Sequence, residues 1–396
     1  MGNDLLMQIK INNINKEQTL AWIGLLIVII ATAIELFRGR ASNYYVYSDA
    51  TIAFWNGITP YTHQFVSDHG RYFLYTPVFT TLFAPIFLLP KWLGPFIWNG
   101  MNYGMMLFAI NSLPGPLKPY RNKIFAFLLL LIVQGTFCFQ FNVVVCYLFL
   151  FAFTLLERNH PLWAIVLIAI SATTKIYGGI ELGLLLCYPK IWRNIGFAIC
   201  SCVILLLLPL INTSFEHPLE LYGQMATILD EHTDTGLWAG LLYTPGLRGI
   251  LLSNIRLVQV GVLLVLAILF FCKKERWSNF KFRVQVLAIM MGYIILFSDS
   301  PEIHTYLITL SGYQMAFWLQ PQHSKFDWIL FWLLFVNFCI LPVDVLCPTS
   351  IYNFFHSILW LDIYIMTIAW IRVIWWAVKP NRIPFPIIHK DDSKPI

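Results

Sequence analysis

The chain has 396 residues, of which 58% are hydrophobic, 16% aromatic and only 12% charged. An ordinary soluble domain is about 25% charged, so half that content excludes a water-soluble fold of usual composition. The net charge of +6 is dispersed in short clusters between apolar runs, and no basic patch suggests nucleic acid.

A helix needs about 20 apolar residues to cross a hydrocarbon core. Such runs recur at 18–37, 73–90, 92–113, 124–139, 142–157, 161–188, 194–212, 253–272, 284–298, 302–320, 327–342 and 351–378. They are unbroken rather than alternating, which favours helices over a barrel. The sequence therefore predicts an all-α polytopic membrane protein, a single transmembrane domain over 1–396 with about twelve spans. Segment 1–17 precedes the first span. Lys10, Lys16 and the small-residue stretch Ala31-Thr32-Ala33 imitate a secretory signal, but the apolar run continues past Ala33 and more spans follow, so the first helix is expected to be retained.

Two connections are long, 38–72 and 213–252, a length that usually carries function or structure of its own. In the first, Tyr45, Asp49 and Ile52 recur at helical spacing, and Gly57 makes a stop before Pro60. Its aromatics, Tyr44, Tyr45, Tyr47, Phe54 and Trp55, suit a membrane interface. In the second, Leu219 to Leu229 is helix-compatible and runs into Asp230-Glu231-His232-Thr233-Asp234. Both are expected to lie on the outer surface as amphipathic segments roofing a cavity.

Lys and Arg gather at Lys190/Arg193, at Lys273/Lys274/Arg276/Lys281/Arg283, and at Lys379/Arg382/Lys390/Lys394. The positive-inside bias makes these cytoplasmic, places both termini (1–17 and 379–396) inside, and puts the two long loops outside a plasma membrane. Lys118, Arg121 and Lys123 dissent, because a strict count of twelve spans leaves them outside. The eight cysteines show no metal spacing; seven fall in spans as small packing residues, and Cys347 is expected exposed in an outer loop.

A few polar residues stand out against this background. Asp49 is an acidic residue in an aromatic loop at a span's outer end, placed either to cap a helix or to take a proton from a hydroxyl. Glycosyl transfer from a lipid phosphate has a good leaving group, so one carboxylate base suffices, unlike the paired carboxyls of glycoside hydrolysis. Asp68 is the second choice for that base. Lys175 lies deep in 161–188, where a charge is costly and functional by default; its partner is an anionic phosphate or a carboxylate such as Glu181. His304 follows Glu302 at the outer start of a span, placed to steady a phosphate oxygen or the acceptor. Arg71 suits a phosphate clamp and closes the first loop with Tyr75. Gln140 and Asn142 need hydrogen-bond partners at depth, from a neighbouring helix or a sugar. No Gly-rich phosphate loop, zinc motif or nucleophile elbow occurs, so an activated sugar has to arrive on lipid, with no bound cofactor or metal.

An Asp after the first span, then Gly57-Ile58-Thr59-Pro60-Tyr61, then Tyr75-Thr76-Pro77, resembles glycosyltransferase family 87. Thr174-Lys175-Ile176-Tyr177 with the basic Lys190-Ile191-Trp192-Arg193, and Glu302-Ile303-His304-Thr305-Tyr306, are similar to later stretches of that family, over roughly residues 40–320. The chain departs from it in having Lys175-Ile176 for Lys-Pro, and Phe139-Gln140-Phe141-Asn142 for Gly-Gln-x-Asn. The resemblance implies a GT-C-like membrane bundle and a polyprenyl-phosphate hexose, mannose-like, as donor. It also implies a glycan or glycolipid acceptor, inversion at the anomeric carbon, Asp49 as base, and Lys175 and His304 at the donor site. Two other activities fit parts of the pattern. A flippase of lipid-linked sugars would use the cavity without chemistry, and a membrane acyltransferase would use His304 as base.

Overall fold

The computed structural model describes residues 2–212, 215–231, 255–297, 303–343, 346–358 and 361–379. Their regular secondary structure is helical, with no strand among them. In chain order the first elements are α1 (Gly2–Phe37), α2 (Ser42–Trp55), α3 (His63–His69), α4 (Pro77–Leu82), α5 (Ala84–Phe87), α6 (Gly94–Ser112), α7 (Arg121–Phe137), α8 (Asn142–Glu157) and α9 (Pro161–Thr174). A 3-10 helix over Ile176–Cys187, α10 (Ile191–Leu206), α11 (Glu220–Glu231), α12 (Ile255–Phe271) and α13 (Phe280–Phe297) follow. The chain then forms α14 (Tyr306–Trp318), α15 (Lys325–Leu334) continued by a π-helical stretch Phe335–Ile340, α16 (Thr349–Asn353) continued by another at Phe354–Ile358, and α17 (Leu361–Val378).

Three of these segments are long and apolar enough to cross a bilayer by length and composition: Ile191–Ile211, Phe280–Phe297 and Leu361–Val378. A fourth exists if Ala21–Phe37 and Ser42–Trp55, bent by 75°, form one span. The other apolar helices among the described residues do not pass that test, so the all-α class holds while the twelve expected spans are not confirmed by length and composition.

Side chains tie the helix ends into two poles. At one, Arg158 donates to Ser112 O at 3.0 Å and Arg121 Nε to Leu113 O at 2.9 Å. Arg283 forks onto Glu157 at 2.6 and 2.7 Å, where the Tyr188 hydroxyl also donates. Lys123 lies 4.5 Å over the Trp318 ring, and Arg276 reaches Ala377 O at 2.8 Å. This is the basic pole. At the other, Asn43 bonds Cys138 O at 2.8 Å, Asn142 bonds Thr305 at 3.2 Å, Asn212 bonds Phe54 O at 2.6 Å and Gln259 bonds Phe297 O at 2.6 Å.

Two sequence expectations change on this frame. Segment 73–90 does not run from pole to pole. Thr76 N–H meets Thr174 O at 3.3 Å, Ser48 donates to Phe87 O at 2.8 Å, and Trp55 donates to Thr80 O at 3.1 Å, so α4 and α5 leave and rejoin the same pole beside α2. Prolines at the starts of both short helices, Pro77 and Pro85, break the run into two helices of six and four residues. Segment 161–188, conversely, turns back at Lys175, because α9 joins the non-basic pole at Thr174 while the 3-10 helix returns to Tyr188 at the basic one. With 73–90 no longer a crossing, α6 ends at the basic pole, and Lys118, Arg121 and Lys123 fall there with the other cations.

The two expected surface segments also differ from each other. α11 is amphipathic as anticipated, burying Leu221, Met225 and Ile228, and Thr59 donates to Gln224 at 2.6 Å. α2 is instead packed into the bundle. Tyr44, Tyr47, Ser48 and Thr51 form a buried stripe against α4 and α5, which leaves Tyr45, Asp49 and Ile52 on the opposite face. Cys347, expected exposed, is buried.

Candidate functional site

Asp49 sits in the middle of α2, far from either cap, so the capping role weighed from sequence does not apply. Its carboxylate is a quarter exposed (24%) and holds two basic partners, Lys91 Nζ on Oδ1 at 2.6 Å and His69 Nε2 on Oδ2 at 3.1 Å. Both partners are delivered by local structure. α3 begins at Thr62, whose hydroxyl accepts from Phe65 N–H, and ends at Gly70 in the left-handed region, φ 63°. That seven-residue helix, about two turns long, aims His69 at Asp49, with the imidazole stacked on Phe65 at 4.1 Å. Lys91 follows α5, at the point where the re-entrant segment returns to α2.

His69 Nδ1 lies 2.8 Å from Phe65 O. A carbonyl only accepts, so Nδ1 carries a hydrogen. Nε2 faces a carboxylate, and a single proton therefore lies between Nε2 and Asp49 Oδ2. Asp49 is thus held on both oxygens by groups that move protons or carry charge, with its exposed edge open to a third donor.

A second group forms where α9 ends. The Tyr75-Thr76-Pro77 turn docks on the carbonyls that α9 leaves without helical partners. Thr76 donates its hydroxyl to Thr173 O, accepts from Val78 N–H at 3.2 Å, and caps α4 while doing so. The Tyr75 ring is thereby fixed 5.2 Å beneath Lys175 Nζ, with the Tyr177 ring at 4.9 Å. Such cation–π contacts favour a cation at that point. Lys175 donates to Asn142 Oδ1 at 2.9 Å, Tyr177 OH donates to the same oxygen, and Asn142 Nδ2 donates to Thr305 Oγ1. Asn142 is fully buried and every polar atom of its amide is used. Glu181 is not the partner that sequence offered for Lys175, since neither of its buried carboxylate oxygens has a hydrogen-bond partner in the structure.

Tyr47 joins the two groups. It projects from α2 and its hydroxyl meets that of Tyr75 at 3.0 Å, with the rings edge to face at 5.2 Å. Arg71 is exposed and donates to Asn43 Oδ1 at 2.7 Å, while Asn43 holds Cys138 O, so Arg71 braces the α7–α8 turn beside both groups. Gln140, in that turn, is buried with Oε1 unpartnered. His304 lies in the 3-10 turn Ile303–Thr305, next to the Thr305 that holds Asn142. Asp68 is outside both groups, exposed, with Gln64 at 3.5 Å as its hydrogen-bond partner. Glu302 lies outside the described residues.

Of the residues singled out in the sequence, the structure brings Lys175, Tyr75 and Asn142 together and sets Asp49 apart from them in its own group; His69 and Lys91 beside Asp49, and Tyr177 and Thr305 beside Asn142, were not singled out as partners. His69 was visible as the neighbour of Asp68 at a Gly-terminated turn. Lys91 was hidden by the supposed crossing at 73–90, which would have put it at the opposite pole from Asp49. Among the described residues no group of His, Cys, Asp and Glu is arranged to hold a metal ion.

No curated protein matches the chain. The sequence model of glycosyltransferase family 87 does match, over residues 73–298, which include Tyr75, Lys91, Asn142 and Lys175. That match spans more than half of the chain, and the protein belongs to glycosyltransferase family 87, a family of enzymes that transfer sugars.

Proposed function

We propose that the protein transfers a hexose from a polyprenyl-phosphate sugar to a glycan or glycolipid acceptor, with Asp49 as general base and inversion at the anomeric carbon. The observation that carries this reading is the pairing, at one pole, of a partly exposed carboxylate braced by His69 and Lys91 with a cation held by Asn142 over Tyr75. An acceptor hydroxyl at the open edge of Asp49 gives up its proton to the carboxylate as its oxygen attacks C1. The bond from C1 to the phosphate oxygen breaks on the opposite side, and the lipid phosphate leaves toward Lys175. A part-buried ammonium opposing the growing phosphate charge stabilises that transition state more than the ground state. Arg71 and His304, at the same pole, are the further donor-side groups; Gln140, with an unused buried acceptor, suits a sugar hydroxyl.

Cations at the basic pole support a cytoplasmic position for it under the positive-inside bias. The site pole then faces outward across a plasma membrane, with both termini inside. Purified protein in nanodiscs is tested with a panel of polyprenyl-phosphate hexoses and a mixed acceptor pool, wild type beside Asp49→Asn. General-base catalysis contributes about 10²- to 10⁴-fold, and a loss of that size with donor binding intact is expected. An Asp49→Asn variant as active as wild type refutes the base. Lipid binding without turnover by any donor favours a flippase instead.

A further inference from the structure

Beyond the family-matched segment, three side chains converge at the site pole. His356 Nδ1 lies 2.9 Å from Asp362 Oδ2, and Tyr306 OH donates to the same oxygen at 2.8 Å. Asp362 is buried, with 5% of its side chain exposed, whereas the His356 side chain is 34% exposed. Resting on the reading above, we propose that His356 is a second proton-carrying group of the transfer site, presenting Nε2–H to the phosphate that leaves with the lipid.

The geometry is that of a carboxylate-fixed imidazole. A buried carboxylate on Nδ1 sets the ring's orientation and tautomer and stabilises its protonated form. The ring is also clamped by Tyr352, stacked at 5.0 Å and 13°. The cavity that Asp362 lines with Tyr306, Asn337, Phe338 and Tyr352 measures about 10 Å³, room for no more than one water. A phosphate therefore cannot enter on the Asp362 side, and a ligand meets the imidazole from its exposed edge. Both walls of that cavity are π-helical, at Phe335–Ile340 and Phe354–Ile358, a rare backbone form that collects at functional sites.

One chain of contacts connects this group with the first cation. Lys175 is held by Asn142, Asn142 by Thr305, and the next residue, Tyr306, holds Asp362 and through it His356. The two cations thus flank the start of α14. Proton balance closes across the reaction. The acceptor hydroxyl's proton goes to Asp49, the C1–O bond breaks, and the dianionic phosphate product takes the Nε2 proton of His356, which is later restored from water. The hydrogen bond to Asp362 raises the His356 imidazolium above its ordinary range, with burial opposing. Among the described residues, the titratable groups facing it are Asp362 from α17, Tyr306 from α14 and Tyr352 from its own helix, while the Phe335–Ile340 wall brings Asn337 and no charge.

The test is equilibrium binding of polyprenyl phosphate, the leaving group itself, to the full-length protein in nanodiscs at about pH 6 and about pH 8, where His changes charge. Comparing variants cancels the phosphate's own titration. His356→Gln is expected to weaken binding about tenfold at the lower pH and to shrink the difference between the two pH values; Tyr306→Phe, which keeps the ring in place, shrinks it less. Identical affinity and pH dependence in wild type and His356→Gln overturn the proposal while leaving the donor reading intact. Failure of the wild type to bind polyprenyl phosphate at either pH overturns both. Transfer by Asp49→Asn, measured separately, does not enter this comparison.

Discussion

Asn142→Asp separates a structural role for the Lys175 group from a phosphate-binding one. The new carboxylate oxygen would stand where Asn142 Oδ1 stands, 2.9 Å from Lys175 Nζ, and would still accept from both Lys175 and Tyr177. Only the amide N–H to Thr305 is lost, a neutral hydrogen bond contributing about 1 kcal/mol. Thermal stability should therefore change by no more than a few degrees. Donor binding should not survive equally well. A phosphate oxygen about 4 Å from Nζ meets a neutralised pair instead of a cation, and at an effective dielectric near 20 the lost attraction is about 4 kcal/mol. At about 1.4 kcal/mol per decade this sets a ceiling near a thousandfold. Solvent at the pole reduces it, so a loss of at least about tenfold in affinity for the polyprenyl-phosphate sugar is expected. The assay is donor binding in nanodiscs beside a melting curve. A folded Asn142→Asp protein that binds donor like wild type refutes the idea that Lys175 meets the phosphate.

Other outcomes follow from the same geometry. Lys91→Met removes an ion pair whose lysine is half exposed, so stability should move by less than about 1 kcal/mol, while kcat falls about tenfold through loss of a group that orients Asp49. His69→Gln, whose amide can still donate toward Oδ2, should retain more transfer than His69→Ala; equal losses would show that the proton between His69 and Asp49 is not used. Glu157→Gln leaves Arg283 without its buried carboxylate at the basic pole and should cost about 3 kcal/mol in denaturant unfolding. Because the His356 pKa is raised in the fold, its bond to Asp362 stabilises fully below the ordinary value of about 6.5 and is lost as pH rises through the raised one. Amide exchange in 349–358 should accelerate across that window, and an exchange rate flat with pH, after correction for intrinsic exchange, would count against it.

Composition and run length made the helical class legible, because low charge and long apolar stretches are properties of the chain alone. They did not give the course of each run. Segment 73–90 is as apolar as its neighbours, and only Pro77 and Pro85, which start two short helices, mark it as re-entrant. Asp49 was legible because an acid in an aromatic loop is rare; its partners were not, because His69 and Lys91 reach it through tertiary turns separated by 20 and 42 residues. α2 misled for a different reason. Its aromatics suggest an interface, but Tyr44, Tyr47 and Phe54 are buried with Ser48 and Thr51, and the hydroxyls of Tyr44, Tyr47, Ser48 and Thr51 are satisfied on carbonyls or on another hydroxyl. His356 and Asp362 gave no signal at all, being six residues apart across a helix start.

The re-entrant course of 73–90 decides more than the span count. If that run crossed, Lys91 would sit among the cytoplasmic cations, Asp49 would lose the partner on Oδ1, and Lys118, Arg121 and Lys123 would be left on the side that the positive-inside bias disfavours. Folding it back corrects all three at once, by reversing the direction of the helices from α6 to α8, and the turn at Lys175 restores the original direction from α10 onward. It also brings Tyr75 and Lys91, the two ends of the run, to opposite flanks of α2: one under Lys175, the other on Asp49. A single short excursion therefore supplies a contact to each half of the site. The same geometry says why Tyr75-Thr76-Pro77 has the composition it has. Tyr supplies the ring beneath the cation, Thr both caps the new helix and fills an orphan carbonyl of α9, and Pro starts a helix where no N–H is needed. On the proposed mechanism, replacing any one of them is expected to loosen the placement of Tyr75 beneath Lys175 and so to lower transfer.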